Sequence, residues 1–268
     1  MAIKMGTPKP KNLSISNATY SGKSFVTTTQ ETTPISVAFN DTGSKMYILG
    51  NTANAVFEYT LSTNFDVSTA TYTSNSISTG VNWNAGLTFN STGTKLFFTA
   101  TSSVDEIRTI TLTSAYDIST ASVTGGTLDV QPQTQNPLGM HFNPSGTKMM
   151  LCDNNGDNIL QYSLSTGFDI TTATYDSVLL DVSAQDTGVF SVYLNSTGTR
   201  MFLCGYSTST VYQYSLSTGF DLSTAVYDNI SVDISSLTSD LTDVEFNSSG
   251  TKMFVIARDI DSVLEYNL

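Results

Sequence analysis

The sequence predicts an all-β fold: a five-bladed β-propeller built from four-stranded blades. Three observations predict it. The segment Phe39-Asn40-Asp41-Thr42-Gly43-Ser44-Lys45-Met46-Tyr47 recurs four more times, at Phe89–Phe97, Phe142–Met150, Leu194–Phe202 and Phe246–Phe254. The marker glycines Gly43, Gly93, Gly146, Gly198 and Gly250 set a period of 50 to 53 residues. Every segment within that period has strand character, which suits a radial array of small sheets.

Each repeat reads as four strands, A to D from the axis outward. Strand A is Gly86-Leu87-Thr88-Phe89-Asn90 or its equivalent. An Asn-x-x-Gly turn follows, with glycine at the left-handed position and Pro144 where a type I turn favours proline. Strand B, as in Lys252-Met253-Phe254-Val255-Ile256, is apolar at consecutive positions, so both of its faces are buried between stacked blades. Strand C reads Val211-Tyr212-Gln213-Tyr214-Ser215-Leu216. The connector 217–225 leads to strand D at 226–234. In the connectors, Asp66, Asp117, Asp169 and Asp221 each precede a Ser/Thr-Ala stretch and are expected to cap its amides.

The ends predict closure. The last repeat stops at Leu268 after strand C, while Ala18-Thr19-Tyr20 resembles Ala70-Thr71-Tyr72 and Ala173-Thr174-Tyr175. A strand at about 18–28 should therefore pair with 263–268, completing the fifth blade and removing a free sheet edge. The chain divides into a basic arm, 1–14, and a single propeller domain, 15–268.

Composition narrows the function classes. Hydrophobic residues make up 39% and charged residues 13% of the 268, a balance that favours a packed body over disorder. Serine and threonine reach about 29%, well above ordinary usage. The net charge is −12, with all acids beyond residue 30, so the body repels phosphate backbones and nucleic acid is excluded as its partner. No run has the length of a membrane-spanning helix, and the start shows no signal-like apolar core. Cys152 and Cys204 occupy matching places in neighbouring repeats and are expected as buried thiols, too far apart for a disulfide.

The string Phe-Asn-x-x-Gly-Thr-Lys-Met-Phe, followed by Tyr-x-Tyr-Ser-Leu-Ser-Thr-Gly-Phe-Asp-Leu-Ser-Thr-Ala, resembles tandem propeller repeats of marine bacteria and their phages. It is more distantly similar to the lactonase-like propeller repeat, whose inner strand reads Phe-Ser-Pro-Asp-Gly-Thr. The resemblance implies the fold over roughly 15–268 and carries no shared catalytic signature.

The A–B turns and C–D connectors repeat closely and share one face. The B–C and D–A loops vary and share the other, so the variable face is the expected binding face. It is acidic. The candidate binding residues there are Trp83, Asp105, Asp153, Asp157, Phe190, Tyr206, Asp259 and Asp261. Trp83, the sole tryptophan, is flanked by amides suited to a sugar face. The loop 153–158 is oxygen-rich but shorter than an EF-hand loop and differently spaced.

Little points to catalysis. His141 is the only histidine, without a Gly-x-Ser-x-Gly elbow, and reads as packed in the channel wall. Asp243 and Glu245 fall on one side of strand A, but no other inner strand matches them. The sequence thus leads to the expectation of a non-enzymatic interaction module with no cofactor and no metal: a phage virion component. Its partners would be other virion proteins, docked through an arm containing Lys4, Pro8, Lys9, Pro10 and Lys11, and a host-surface glycan or protein. The alternatives are a glycan-binding propeller and a lactonase- or glycosidase-like enzyme.

Overall fold

A computed structural model describes residues 12–101, 104–123 and 125–268. Five antiparallel sheets stand around a common axis, one per repeat. The innermost strands, A, are Pro34–Phe39, Asn84–Phe89, Pro137–Phe142, Val189–Leu194 and Leu241–Phe246. Strands B are Lys45–Gly50, Lys95–Ala100, Lys148–Asp153, Arg200–Gly205 and Lys252–Ala257. Strands C are Ala55–Leu61, Glu106–Leu112, Asn158–Leu164, Thr210–Leu216 and Ser262–Asn267. These strand sets define blades 1 to 5 in chain order.

Strand D differs between blades. It is continuous in blades 1, 3 and 4, as Ala70–Ser78, Ala173–Asp181 and Ala225–Asp233. In blade 2 it is split into Ala121–Ser122 and Thr127–Asp129. In blade 5 the opening segment supplies it: Thr19–Val26 pairs antiparallel with Ser262–Asn267, Thr19 opposite Asn267 and Val26 opposite Ser262. The ring is closed in the way the terminal repeats imply.

The core lies between blades because strand B is buried on both faces; Met46, Tyr47, Ile48 and Leu49 are all inaccessible. The Asn-x-x-Gly turns are built by their asparagines. Asn90 Oδ1 accepts from Thr94 N (2.8 Å) and Lys95 N (3.0 Å), and each repeat does likewise from at least the second of these amides. Gly43 closes such a turn with φ +70°, and a Cβ there would lie 2.2 to 2.4 Å from three atoms of the Phe65 ring. Left-handed backbone and lack of space together require glycine. The connector aspartates cap short 3-10 turns: Asp66, Asp117, Asp169 and Asp221 accept from Ser68 N, Ser119 N, Thr171 N and Ser223 N.

Leu13 and Ile15 are already buried against blades 4 and 5. The expected docking arm, with Lys4, Pro8, Lys9, Pro10 and Lys11, lies outside the described residues. Cys152 and Cys204 are unpaired and buried, and burial pushes both thiols well up.

Candidate functional site

The inner strands converge on the axis, and their sequence sets how closely they can approach. Gly86 and Gly139 occupy matching positions on neighbouring strands. A Cβ on Gly86 would lie 2.8 Å from Gly139 Cα, and one on Gly139 would lie 2.7 Å from Phe190 O. The matching positions in blades 1, 4 and 5 are Ser36, Ser191 and Asp243. The Asp243 carboxylate accepts from Ser36 Oγ (2.6 Å), Val37 N (2.8 Å), Ser191 Oγ (2.6 Å) and Val244 N (2.9 Å). Ser36 Oγ in turn accepts from Leu87 N at 3.0 Å. One acid on the axis therefore braces blades 4, 5, 1 and 2. Burial pushes its carboxyl up, and the four donors pull it partly back. With its oxygens occupied in this way, Asp243 is a structural acceptor.

Two residues further along each strand lies a second ring: Ala38, Thr88, His141, Tyr193 and Glu245. The His141 and Tyr193 rings are 4.7 Å apart. Burial and, after it, the Glu245 charge push the Tyr193 hydroxyl well above its ordinary value, so it stays protonated. Glu245 Oε1 accepts from Phe246 N at 3.0 Å. Thr88 and Glu245 are half-buried, whereas Ser36, Ser191 and Asp243 are buried.

The two rings line a pocket at the axis. Its cavity volume is about 10 Å³. That is space for about one ordered water. The first residues of the five inner strands, Pro34, Asn84, Pro137, Val189 and Leu241, are all buried. The pocket lies at the third to fifth positions of the inner strands, nearer the A–B turns than the D–A loops. No lysine or arginine lines it.

The loop residues singled out from sequence are not brought to this pocket. Several of the acids clasp their own loops. Asp153 accepts from Thr134 Oγ1 at 2.6 Å. Asp259 accepts from Thr238 Oγ1, Ser239 N (2.9 Å) and Ser239 Oγ (2.7 Å), and these bonds outweigh burial to hold its carboxyl below the usual range. Asp105, Asp157 and Asp261 adopt left-handed backbone. Their carbonyls receive Val130 N, Val182 N and Thr27 N, at 2.9, 2.9 and 2.8 Å, tying the B–C loop to the end of strand D. Burial first, and then Asp129, raises the Asp105 carboxyl; burial, then Asp186, Asp153 and Asp181, raises that of Asp157. Phe190 is buried and meets Tyr206 edge-on at 6.4 Å. Trp83 stands 62% exposed. Among the described residues, no three His, Cys, Asp or Glu side chains gather as metal ligands would.

Sequence reasoning treated His141 as a wall residue and set Asp243 and Glu245 aside for want of matching acids. It missed Tyr193, Ser36 and Ser191. The available signal was that these positions depart from their counterparts while sharing one strand register.

The sequence matches no protein-family model and no curated protein. Solved structures do resemble the fold. A protein of unknown function from Desulfotomaculum acetoxidans aligns with a TM-score of 0.54 at 11% identity, covering 84% of this chain and 79% of that one. A 6-phosphogluconolactonase, so named provisionally, from Bacteroides fragilis aligns at 0.51 and 15% identity, covering 83% and 63%. The periplasmic gluconolactonase of Pseudomonas aeruginosa aligns at 0.54 and 10% identity, covering 83% and 64%. This chain spans less than two thirds of the length of those two lactonases, and likeness at identities this low shows the fold alone.

These neighbours correct the expectation of a non-enzymatic virion component. Two of these three structures are named as lactonases, and none of the three is named as a virion protein. The physical reason for the error lies in the repeats. Catalytic groups can sit where single copies depart from the consensus, and composition does not register such departures.

Proposed function

We propose that the protein is a lactonase-like hydrolase that opens the ring ester of a small sugar lactone at the axial pocket. The observation that carries this reading is the second ring, where the only histidine, a half-buried threonine hydroxyl and a half-buried carboxylate line space for one water. Lactone hydrolysis needs these elements: a water, a base for its proton and a donor for the carbonyl oxygen.

In this reading Glu245 accepts a proton from the water as the water oxygen adds to the lactone carbonyl. The half-buried Thr88 hydroxyl, on the same ring, donates to the developing oxyanion, while the buried Tyr193 packs against His141 in the wall. The ring C–O bond then breaks, and the proton passes from Glu245 to the departing alkoxide. The product is the open hydroxy acid. The small interior places the substrate across the pocket mouth, with the water beneath it. Acids line the pocket and cations do not, which favours an uncharged lactone over a phosphorylated one.

The test is hydrolysis of D-glucono-δ-lactone followed by acid release at constant pH. The wild-type chain should exceed the spontaneous rate. Glu245→Gln should lower the catalysed rate by about 100-fold or more, with an unchanged circular dichroism spectrum. A wild-type rate equal to the buffer blank rejects the proposal.

A further inference from the structure

We propose that Trp83 and the asparagines around it form a stacking subsite for a neutral saccharide, on the face of the ring away from the axial pocket. Trp83 lies in the D–A loop that enters blade 2. Its backbone is left-handed, with φ +57°, a conformation that large side chains avoid. The carbonyl is clamped twice, by Thr101 N at 2.9 Å and Thr101 Oγ1 at 3.1 Å. The indole is nevertheless 62% exposed. The loop therefore accepts an unfavourable backbone geometry that turns the ring outward instead of burying it.

The surroundings are neutral and amide-rich. Asn84 N donates to Asn51 Oδ1 at 2.7 Å. Asn84 Nδ2 donates to Asn54 Oδ1 (3.3 Å) and Val81 O (3.2 Å), and Asn54 Nδ2 donates to Asn82 Oδ1 (3.2 Å). Because Asn84 Nδ2 faces two acceptors, its amide orientation is fixed. Asn84 Oδ1, on a side chain only 2% exposed, has no partner among the described residues. A buried carbonyl oxygen of this kind marks a place for an ordered water. The exposed Asn82 keeps its own Nδ2 toward solvent at the rim.

An aromatic face beside neutral donors and acceptors suits a sugar ring, with C–H groups on the indole and hydroxyls on the amides. A protein partner would call for a contiguous apolar patch. The other exposed apolar residues of this face, Val104, Tyr206 and Ile260, are scattered over three different loops. The subsite is separate from the pocket and does not depend on the lactonase reading.

Trp83 is the sole tryptophan, so the emission of the intact chain, excited beyond the tyrosine absorption, reports this site alone. Cellohexaose, laminarihexaose, maltohexaose and chitohexaose would each be titrated, with the emission maximum and the binding heat followed. We expect a saturable blue shift with at least one of them. Calorimetric affinity for that sugar should fall at least about tenfold in Trp83→Ala and severalfold in Asn82→Ala, with melting temperature and lactone hydrolysis unchanged. No saturable shift with any of the four, or full affinity retained in Trp83→Ala, overturns the proposal.

Discussion

Four of the five seams between blades share one clasp, and the seam between blades 2 and 3 does not. At the four regular seams, a buried Glu or Gln in strand C reaches the backbone amide at the start of the next blade's connector turn. Glu58 accepts from Ile118 N (3.4 Å), Gln161 from Leu222 N (2.9 Å), Gln213 from Ile15 N (3.1 Å) and Glu265 from Val67 N (3.2 Å). Blade 2 has Thr109 at this position, and threonine ends two carbons too soon. The same blade lacks the C–D tyrosine pair seen elsewhere, at Tyr59–Tyr72, Tyr162–Tyr175, Tyr214–Tyr227 and Tyr20–Tyr266, where ring centroids are 5.4 to 5.6 Å apart. Ile110 and the exposed Val123 stand there instead. It is also the blade whose strand D is split. The outer strand is continuous where aromatic stacking holds it and the clasp anchors the neighbouring blade, and it breaks where both are lost.

The largest expected effect comes from cutting a clasp. Glu265 is 1% exposed and also takes Lys252 Nζ at 2.7 Å. Glu265→Ala leaves the Val67 amide without its acceptor and Lys252 without its carboxylate, which should cost about 3 kcal/mol. Thr109→Ala removes only a small side chain and should cost about 1 kcal/mol. Urea unfolding of both variants measures the contrast. Equal losses would mean that the clasp does not distinguish the seams.

A subtler measurement compares the outer strands themselves. The amides of Ala121–Ser122 and Thr127–Asp129 should exchange with deuterium about tenfold faster than those of Ala173–Asp181, because the split strand is paired over a shorter length and can open locally. Matching protection in the two segments would break the comparison at the level of dynamics while leaving the static difference intact.

Why the fold could be read from sequence and the site could not follows from the same repeats. Five copies of Phe-Asn-x-x-Gly announce five blades, and Ala18-Thr19-Tyr20 announces the borrowed strand, because each copy answers the same local folding demand. The brace on the axis joins Asp243 to Ser36 across 207 residues of chain. No local pattern encodes that contact; it exists only once the ring is closed. The acidic loops misled for the opposite reason. Asp153 and Asp259 look like exposed ligands, yet Thr134 and Thr238 precede the next strand A at matching distances and convert each acid into a loop clasp. That pairing was present in the sequence and went unread.

The smallest effect sharpens the closing seam. Lys23 of the borrowed strand meets Asp66 of blade 1 at 2.5 Å. The bond to Asp66 raises the Lys23 ammonium, while burial, which alone would raise the Asp66 carboxyl, is outweighed by Lys23 and Ser68 and the carboxyl is lowered. A lowered carboxyl stabilises the fold above its unfolded value of about 4, and that contribution is lost as pH falls through the folded value. A raised ammonium contributes below its unfolded value of about 10.4 and is lost as pH rises through the folded one. The difference in melting temperature between wild type and Lys23→Met should therefore be small and flat from about pH 5 to 9 and shrink at both extremes. A difference that persists undiminished at pH 3 would assign the contribution of Lys23 to its packed aliphatic stem. The closing seam would then be held by strand pairing and Glu265, with no ionic share from Lys23.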